Sequence, residues 1–290
     1  GAEVTGVTFT WSAQAAAGTI DAGGRLSVAC ALAALPGAVT ATAEGVSGSL
    51  GVTLVAGPAA QLRVSPAHVT LAVQGTTAFS ALAQDRCGNA RPPAPVSWTV
   101  ASGAGTLTAD GQYTAPCAVG ALPSAVVAQL GSLTAHADVT VTPGALASLA
   151  LEPTSATLAV ADTQRFTVKA SDTCGNTLTP SLGWAVVAGG RVDSTGLVTA
   201  GLVAGSYPDT VQVNAGGLTA RASLTVLPGA LASLALEPSR VELAPGGTVD
   251  FAVRGADRFG NAVVVAPTWS VVASGGAIDA AGRFTAGSTA

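Results

Sequence analysis

From Gln164 to Ser171 apolar and polar side chains alternate and put Phe166, Val168 and Ala170 on one face, the period-two pattern of a half-buried strand. A second alternating run, Leu218 to Val226, follows the turn Gly216-Gly217 and aligns Leu218, Ala220, Ala222, Leu224 and Val226. Five more strands are expected between 143 and 227. The first is split into Leu149 to Glu152 and Ala156 to Val160 by Pro153, which cannot donate to a ladder and belongs at an edge or a break. The others are Leu182 to Val187 with Trp184, two short strands near Val192 and Val198, and Asp209 to Ala215. No stretch shows helical periodicity.

The pattern repeats. Asp85-Arg86-Cys87-Gly88-Asn89, Asp172-Thr173-Cys174-Gly175-Asn176 and Asp257-Arg258-Phe259-Gly260-Asn261 are one turn recurring every 85 to 87 residues, and Trp11, Trp98, Trp184 and Trp269 keep the same register. A third motif follows each tryptophan, as Gly111-Gln112-Tyr113-Thr114-Ala115, Gly196-Leu197-Val198-Thr199-Ala200 and Gly282-Arg283-Phe284-Thr285-Ala286, with a drifted copy from Gly24 to Val28. Self-similarity at a fixed period marks an array. The boundaries expected from it are a partial unit at 1–57, full units at 58–142 and 143–227, and a partial unit at 228–290. The linkers, such as Pro143-Gly144-Ala145-Leu146 and Pro228-Gly229-Ala230-Leu231, are short and apolar, so neighbouring units should touch.

Composition narrows the function classes. Hydrophobic residues make up 49% of the 290 and charged residues 10%, which excludes a disordered chain and suits short buried strands joined by glycine turns. A net charge of -4 and a single lysine, Lys169, leave no basic stripe for nucleic acid. No apolar run reaches the ~18 residues of a membrane-spanning helix. Gly1 to Trp11 does not read as a signal peptide, and any targeting signal is expected outside this segment.

Seven short strands with one tryptophan on the third predict an all-β protein of tandem immunoglobulin-like sandwiches in an extended array. Leu-x-Pro, a buried Phe, Asp-x-x-Gly-Asn, Trp, Gly-x-x-Thr-Ala and a closing Val-Thr-Val together resemble the bacterial Ig-like repeats of invasin- and intimin-type adhesins and related surface proteins. The resemblance covers the whole chain and implies a cell-surface setting. The chain departs from antibody-type domains in lacking an inter-sheet disulfide beside the tryptophan, and its cysteines sit in loops.

With the strands lettered A to G, Cys87 and Cys174 occupy B–C turns and Cys30 and Cys117 occupy E–F loops. Within one repeat these lie at opposite ends, roughly 20 Å or more apart, beyond the ~7 Å between Cα atoms that a disulfide allows. Across a junction the E–F loop of one repeat faces the B–C turn of the next. Cys30 with Cys87 and Cys117 with Cys174, each 57 residues apart, are therefore the expected pairs. At the last junction the equivalent positions are Leu202 and Phe259, where an apolar contact should stand in. Disulfides place the chain in an oxidising, extracellular setting.

Other candidates read as structure. Asp85, Asn89, Asp172, Asn176, Asp257 and Asn261 invite a calcium reading, but one carboxylate and one amide per junction fall short of the roughly six to eight oxygens calcium takes. The aspartates should instead cap backbone N–H groups, with glycine and asparagine accepting left-handed dihedrals. Asp21, Asp193 and Asp279 are read the same way. His68 and His136 have no counterparts in other repeats and should be exposed strand residues, and no catalytic, cofactor or metal-ligand constellation repeats or clusters. Trp11, Trp98, Trp184 and Trp269 are assigned to the core. The reading is a non-enzymatic segment of a secreted or cell-surface fibre, stalk or adhesin, whose partners are neighbouring copies or a continuation of the same chain. The alternatives are an adhesive or carbohydrate-binding module, for which Tyr113 and Tyr207 are too isolated, and an accessory region of a large secreted enzyme. Both partial end units are expected to be ordered, completed by strands of an adjoining copy or of a longer chain.

Overall fold

The computed structural model describes residues 6–91 and 95–288. All their regular elements are strands, and the chain divides into two compact units, Gly1–Gly144 and Ala145–Ala290.

In the second unit the stretch from 145 to 227 shows how a single chain builds both faces of a sandwich. Ser148–Glu152 pairs antiparallel with Thr167–Ser171 on one side. After the cis bond to Pro153 the chain crosses over, and Ser155–Ala159 runs parallel to Ser223–Leu227 at the edge of a four-stranded sheet. That sheet continues through Gly205–Ala215 to Gly183–Val186. Gly190–Val192, Leu197–Ala200 and Thr163–Arg165 complete the opposite layer. Between the layers lie Leu151, Phe166, Val198, Val211, Val213, Leu224 and Val226, all nearly inaccessible. Burial of each such side chain stabilises the fold by about 1.5–3 kcal/mol.

Two strands depart from the alternation. Gln164 to Ser171 is not one strand: it breaks at Phe166 into Thr163–Arg165 and Thr167–Ser171. The Phe166 N–H is drawn to the Gly196 carbonyl at 2.8 Å, and the break sets the ring in the core. The strand expected from Asp209 begins at Gly205. Its first half is hidden in sequence by Pro208 and by a register shift between Tyr207 and Val211, with Asp209 at φ 51°. The same bulge follows Pro36 and Pro123, with Gly37 at φ 61° and Ser124 at φ 51°.

The rest of the second unit pairs Leu231–Glu237 with Ala252–Asp257 and Arg283–Ala286 with both Thr248–Asp250 and Gly276–Ile278. Trp184 lies on a strand paired with Gly205–Ala215, whereas Trp269 lies outside the strands. Leu234 and Leu236 are 61% and 51% exposed, where Leu151 on the corresponding strand is 2% exposed.

The first unit repeats the scheme. Thr10–Ala13, Ala33–Ala43 and Val46–Leu54 form one sheet and Gly18–Ile20 pairs with Leu26–Val28. From 58 to 142 a four-stranded sheet of Ser97–Val100, Gly120–Leu130, Leu133–Thr142 and His68–Ala72 faces Gln61–Ser65 with Ser80–Gln84 and Thr106–Leu107 with Gln112–Thr114 and Thr76–Ala78. Its core holds Val126, Val139 and Tyr113, whose ring meets Phe79 edge-on at 5.8 Å.

The tryptophans are half-buried, at the margin of the core rather than its centre. Each indole roofs the glycine that opens the third motif. A Cβ on Gly196 would stand 2.7 Å from Trp184 Cζ2 and 2.5 Å from the Phe166 oxygen. On Gly24 and Gly282 it would stand 2.8 Å from Trp11 and 2.7 Å from Trp269, and on Gly111 2.3 Å from the Phe79 oxygen. All four glycines have φ between +80° and +87°, so a side chain is excluded by backbone conformation as well as by space.

Candidate functional site

The recurring turn is where the chain concentrates its polar chemistry. Asp85, Asp172 and Asp257 are buried, at 6%, 3% and 4% exposure, and a buried carboxylate must have its lone pairs met. Oδ1 of Asp85 accepts from the N–H groups of Cys87 (2.8 Å) and Asn89 (2.9 Å). Its Oδ2 accepts from the linker Gly57 N–H (2.9 Å) and the Asn89 amide (3.0 Å). Asp257 holds Phe259 and Asn261 N–H on Oδ1 at 2.8 and 2.9 Å, and Gly229 N–H and the Asn261 amide on Oδ2 at 2.8 and 2.7 Å. Asp172 binds the N–H groups of Cys174 and Asn176, each at 2.9 Å. The Asn89 amide foremost, then the main-chain donors, hold the Asp85 carboxyl down to about 2 although burial pushes it up. At Asp257 burial is the strongest single influence, and the same donors together outweigh it and leave the carboxyl at about 2. Ionisation of these groups is thus secured by N–H donors.

The left-handed position of each turn is taken by glycine, at φ +84° for Gly88 and Gly175 and +85° for Gly260. The asparagine acts through its side chain, which sequence reasoning assigned to backbone conformation. The Asn89 Nδ2 donates to the Cys30 carbonyl at 2.9 Å and the Asn261 Nδ2 to the Leu202 carbonyl at 2.9 Å, both in the preceding E–F loop. The Ala204 N–H returns a bond to Asn261 Oδ1 at 2.8 Å.

Cys30 and Cys87 are joined by a disulfide with Cα atoms 5.4 Å apart, and no described cysteine is a free thiol. At the equivalent place in the second unit, Phe259 is half-buried, with the Arg258 guanidinium 4.4 Å over its ring. Leu202 is 50% exposed, and its carbonyl accepts from the Asn261 amide of the turn. A groove beside the disulfide is lined by Val28, Leu32, Val55, Pro58, Asp85 and Arg86, and Asp85 is committed there to the turn.

The remaining candidates fall where local chemistry puts them. Asp21, Asp193 and Asp279 each accept two main-chain N–H bonds at 2.8–3.0 Å within their own turns. The Thr195 hydroxyl, followed by the N–H groups of Leu197 and Thr195, lowers the Asp193 carboxyl. His68 and His136 are exposed on strands, and His68 Nδ1 lies 3.2 Å from Asp138. Tyr113 is buried and its hydroxyl donates to the Ala104 carbonyl, while the Tyr207 hydroxyl donates to the Val203 carbonyl at 3.0 Å. Among the described residues no cluster of three or more His, Cys, Asp or Glu could hold a metal, and no helix is long and apolar enough to cross a membrane. The glycine beneath each tryptophan and the bridging role of asparagine escaped sequence reasoning. A signal existed for both, since each pairing recurs at nearly constant spacing.

No family model and no curated protein matches the chain. Among solved structures, it is similar to FdeC, an Escherichia coli adhesin, at 22% identity over 82% of this chain and 92% of that one, with a TM-score of 0.41. It is also similar to InvD of Yersinia pseudotuberculosis, at 20% identity over 70% and 71% of the two chains, TM-score 0.35. Domains 1–6 of the surface layer protein SbsC match at 19% identity over 89% of this chain, which spans 39% of that structure's length, TM-score 0.31.

Proposed function

We propose that the chain is a non-enzymatic structural segment of a bacterial extracellular or cell-surface fibre, stalk or adhesin, built from immunoglobulin-like repeats at 1–57, 58–142, 143–227 and 228–290. The observation that carries this reading is the bond between Cys30 and Cys87, which under the proposed division ties the loop of one repeat to the turn of the next. A disulfide so placed stiffens a joint, and it persists only where the surroundings are oxidising. Cys117 and Cys174 hold the equivalent places one period on and have the same spacing of 57 residues, so a second bridge between them belongs to the same proposal. The partners are further repeats of the same kind.

Single-molecule extension of the oxidised chain tests the proposal. Each bridge withholds 57 residues, so reduction should add about 190 Å of contour length per bridge, and the repeats should come apart one at a time. Peptide mapping without reductant should recover Cys117 with Cys174. Recovery of Cys87 with Cys117, or repeats that separate at negligible force whether or not the bridges are intact, overturns the reading.

A further inference from the structure

The Asn261 carboxamide sits among main-chain groups as though it were one of them. It donates to the Leu202 carbonyl at 2.9 Å and accepts from the Ala204 N–H at 2.8 Å. Those two groups flank Val203, and a residue in a neighbouring parallel strand would bond the same pair. The side chain is held from behind as well. Its amide also donates to Asp257 Oδ2 at 2.7 Å, Asp257 Oδ1 takes the Asn261 main-chain N–H at 2.9 Å, and Oδ2 takes the linker Gly229 N–H at 2.8 Å.

The same assembly appears where the joint is covalent. Asn89 reaches the Cys30 carbonyl across 59 residues, as Asn261 reaches Leu202, and Gly57 precedes Asp85 by 28, as Gly229 precedes Asp257. The acceptor residues have nothing in common beyond their backbone. One is a bonded cysteine and the other a half-exposed leucine, yet the carbonyl stands in the same place in both.

We propose that the Asp-x-x-Gly-Asn turn is a docking element whose partner is the E–F loop of a preceding immunoglobulin-like repeat, recognised through its main chain. Asn89 and Asn261 are the positioning residues. They offer a surrogate peptide group to a carbonyl, and at Asn261 to the N–H two residues further on, while Asp85 and Asp257 fix that group to the linker. The disulfide is laid over a dock that exists without it, and side chains in the acceptor loop do not select the partner. The inference rests on the tandem-repeat reading of the chain. The measurement below reads the joint itself, so it can fail while the extension experiment succeeds, and the reverse.

Residue-resolved hydrogen exchange on the full chain provides the test. In Asn261→Ala the Ala204 and Gly229 amides should lose protection by about tenfold or more, while those of Val211–Ala215 and Leu218–Leu227 keep theirs. Leu202→Ala and Val203→Ala, which leave the main chain intact, should keep wild-type protection at Ala204. In the double variant Cys30→Ser with Cys87→Ser the Asn89 side-chain amide protons should still exchange slowly. Unchanged Ala204 protection in Asn261→Ala overturns the proposal. So does loss of that protection in Leu202→Ala, or solvent-like exchange at the Asn89 side chain once the cysteines are gone.

Discussion

Where the loop around Cys30 meets the turn of Asp85, and where the loop around Leu202 meets the turn of Asp257, the chain makes the same joint twice with different means. Both turns carry a buried aspartate with its four short N–H bonds, and both send an asparagine amide to a loop carbonyl at 2.9 Å. One joint adds a sulfur bridge. The other adds a bond from Ala204 N–H and a phenylalanine under an arginine. The difference teaches that the covalent bond is an addition to a joint already specified by hydrogen bonds. Cys87 and Phe259 occupy one structural position, the residue whose N–H meets the carboxylate at 2.8 Å.

The comparison can be broken most forcefully at the sulfur bridge. Closing a loop of 57 residues restricts the unfolded chain by an amount equivalent to about 4 kcal/mol. Cys30→Ser with Cys87→Ser should therefore lower the stability of residues 6–144 by up to about that much in denaturant titrations, and leave exchange in 145–288 unchanged. The reverse experiment installs Leu202→Cys with Phe259→Cys. A disulfide should form spontaneously in air, and stability should rise by about 2–4 kcal/mol relative to the reduced form of the same variant. A pair that stays reduced would show that the two joints differ in geometry as well as in means.

Smaller effects sharpen the contrast. Phe259→Ala should cost about 1–2 kcal/mol, from half-burial of the ring and its contact with Arg258, read as faster exchange at Gly229. Acid should act on both joints alike. The carboxyls of Asp85 and Asp257 lie at about 2 in the folded chain against an ordinary value of 3.8. Above pH ~4 the stabilisation from these two groups is present in full. As pH falls below the ordinary value the unfolded chain takes up protons first, and the contribution declines until it is lost at about pH 2. Exchange at Gly57 and Gly229 should therefore quicken together through that window, with the sulfur bridge making no difference to its midpoint.

Much of this was open to reading from the residues. Alternation at Val168 and Ala170 and at Leu218 to Val226 identified strands because one face of each meets the core, and burial leaves a period of two in the sequence, whereas the break at Phe166 kept that period and so left no sign. The place of Cys30 opposite Cys87 followed from spacing, because strand length forbids pairing within a repeat. What resisted reading did not depend on hydrophobicity. Pro208 and the bulge at Asp209 interrupt the alternation inside a strand that continues through them. The partial exposure of Trp184 reflects the glycine it covers, and a glycine's spatial partner leaves no periodic trace. Asn89 and Asn261 were read as turn formers because asparagine tolerates the left-handed region; with glycine already there, the side chain was free to reach across the joint. The contribution of Leu202 was legible least of all, since it lies in a carbonyl that every residue possesses.

The carbonyl of each dock precedes the amide that seeks it by 59 residues, and on the proposed reading that order gives the joints a direction of assembly. A chain emerging N-terminus first completes the E–F loop of one repeat before the next repeat's turn has been delivered, and domains delivered in this order fold as units. At the two joints held by Asn89 and Asn261 the proposed dock is therefore already made when the turn that seeks it is delivered.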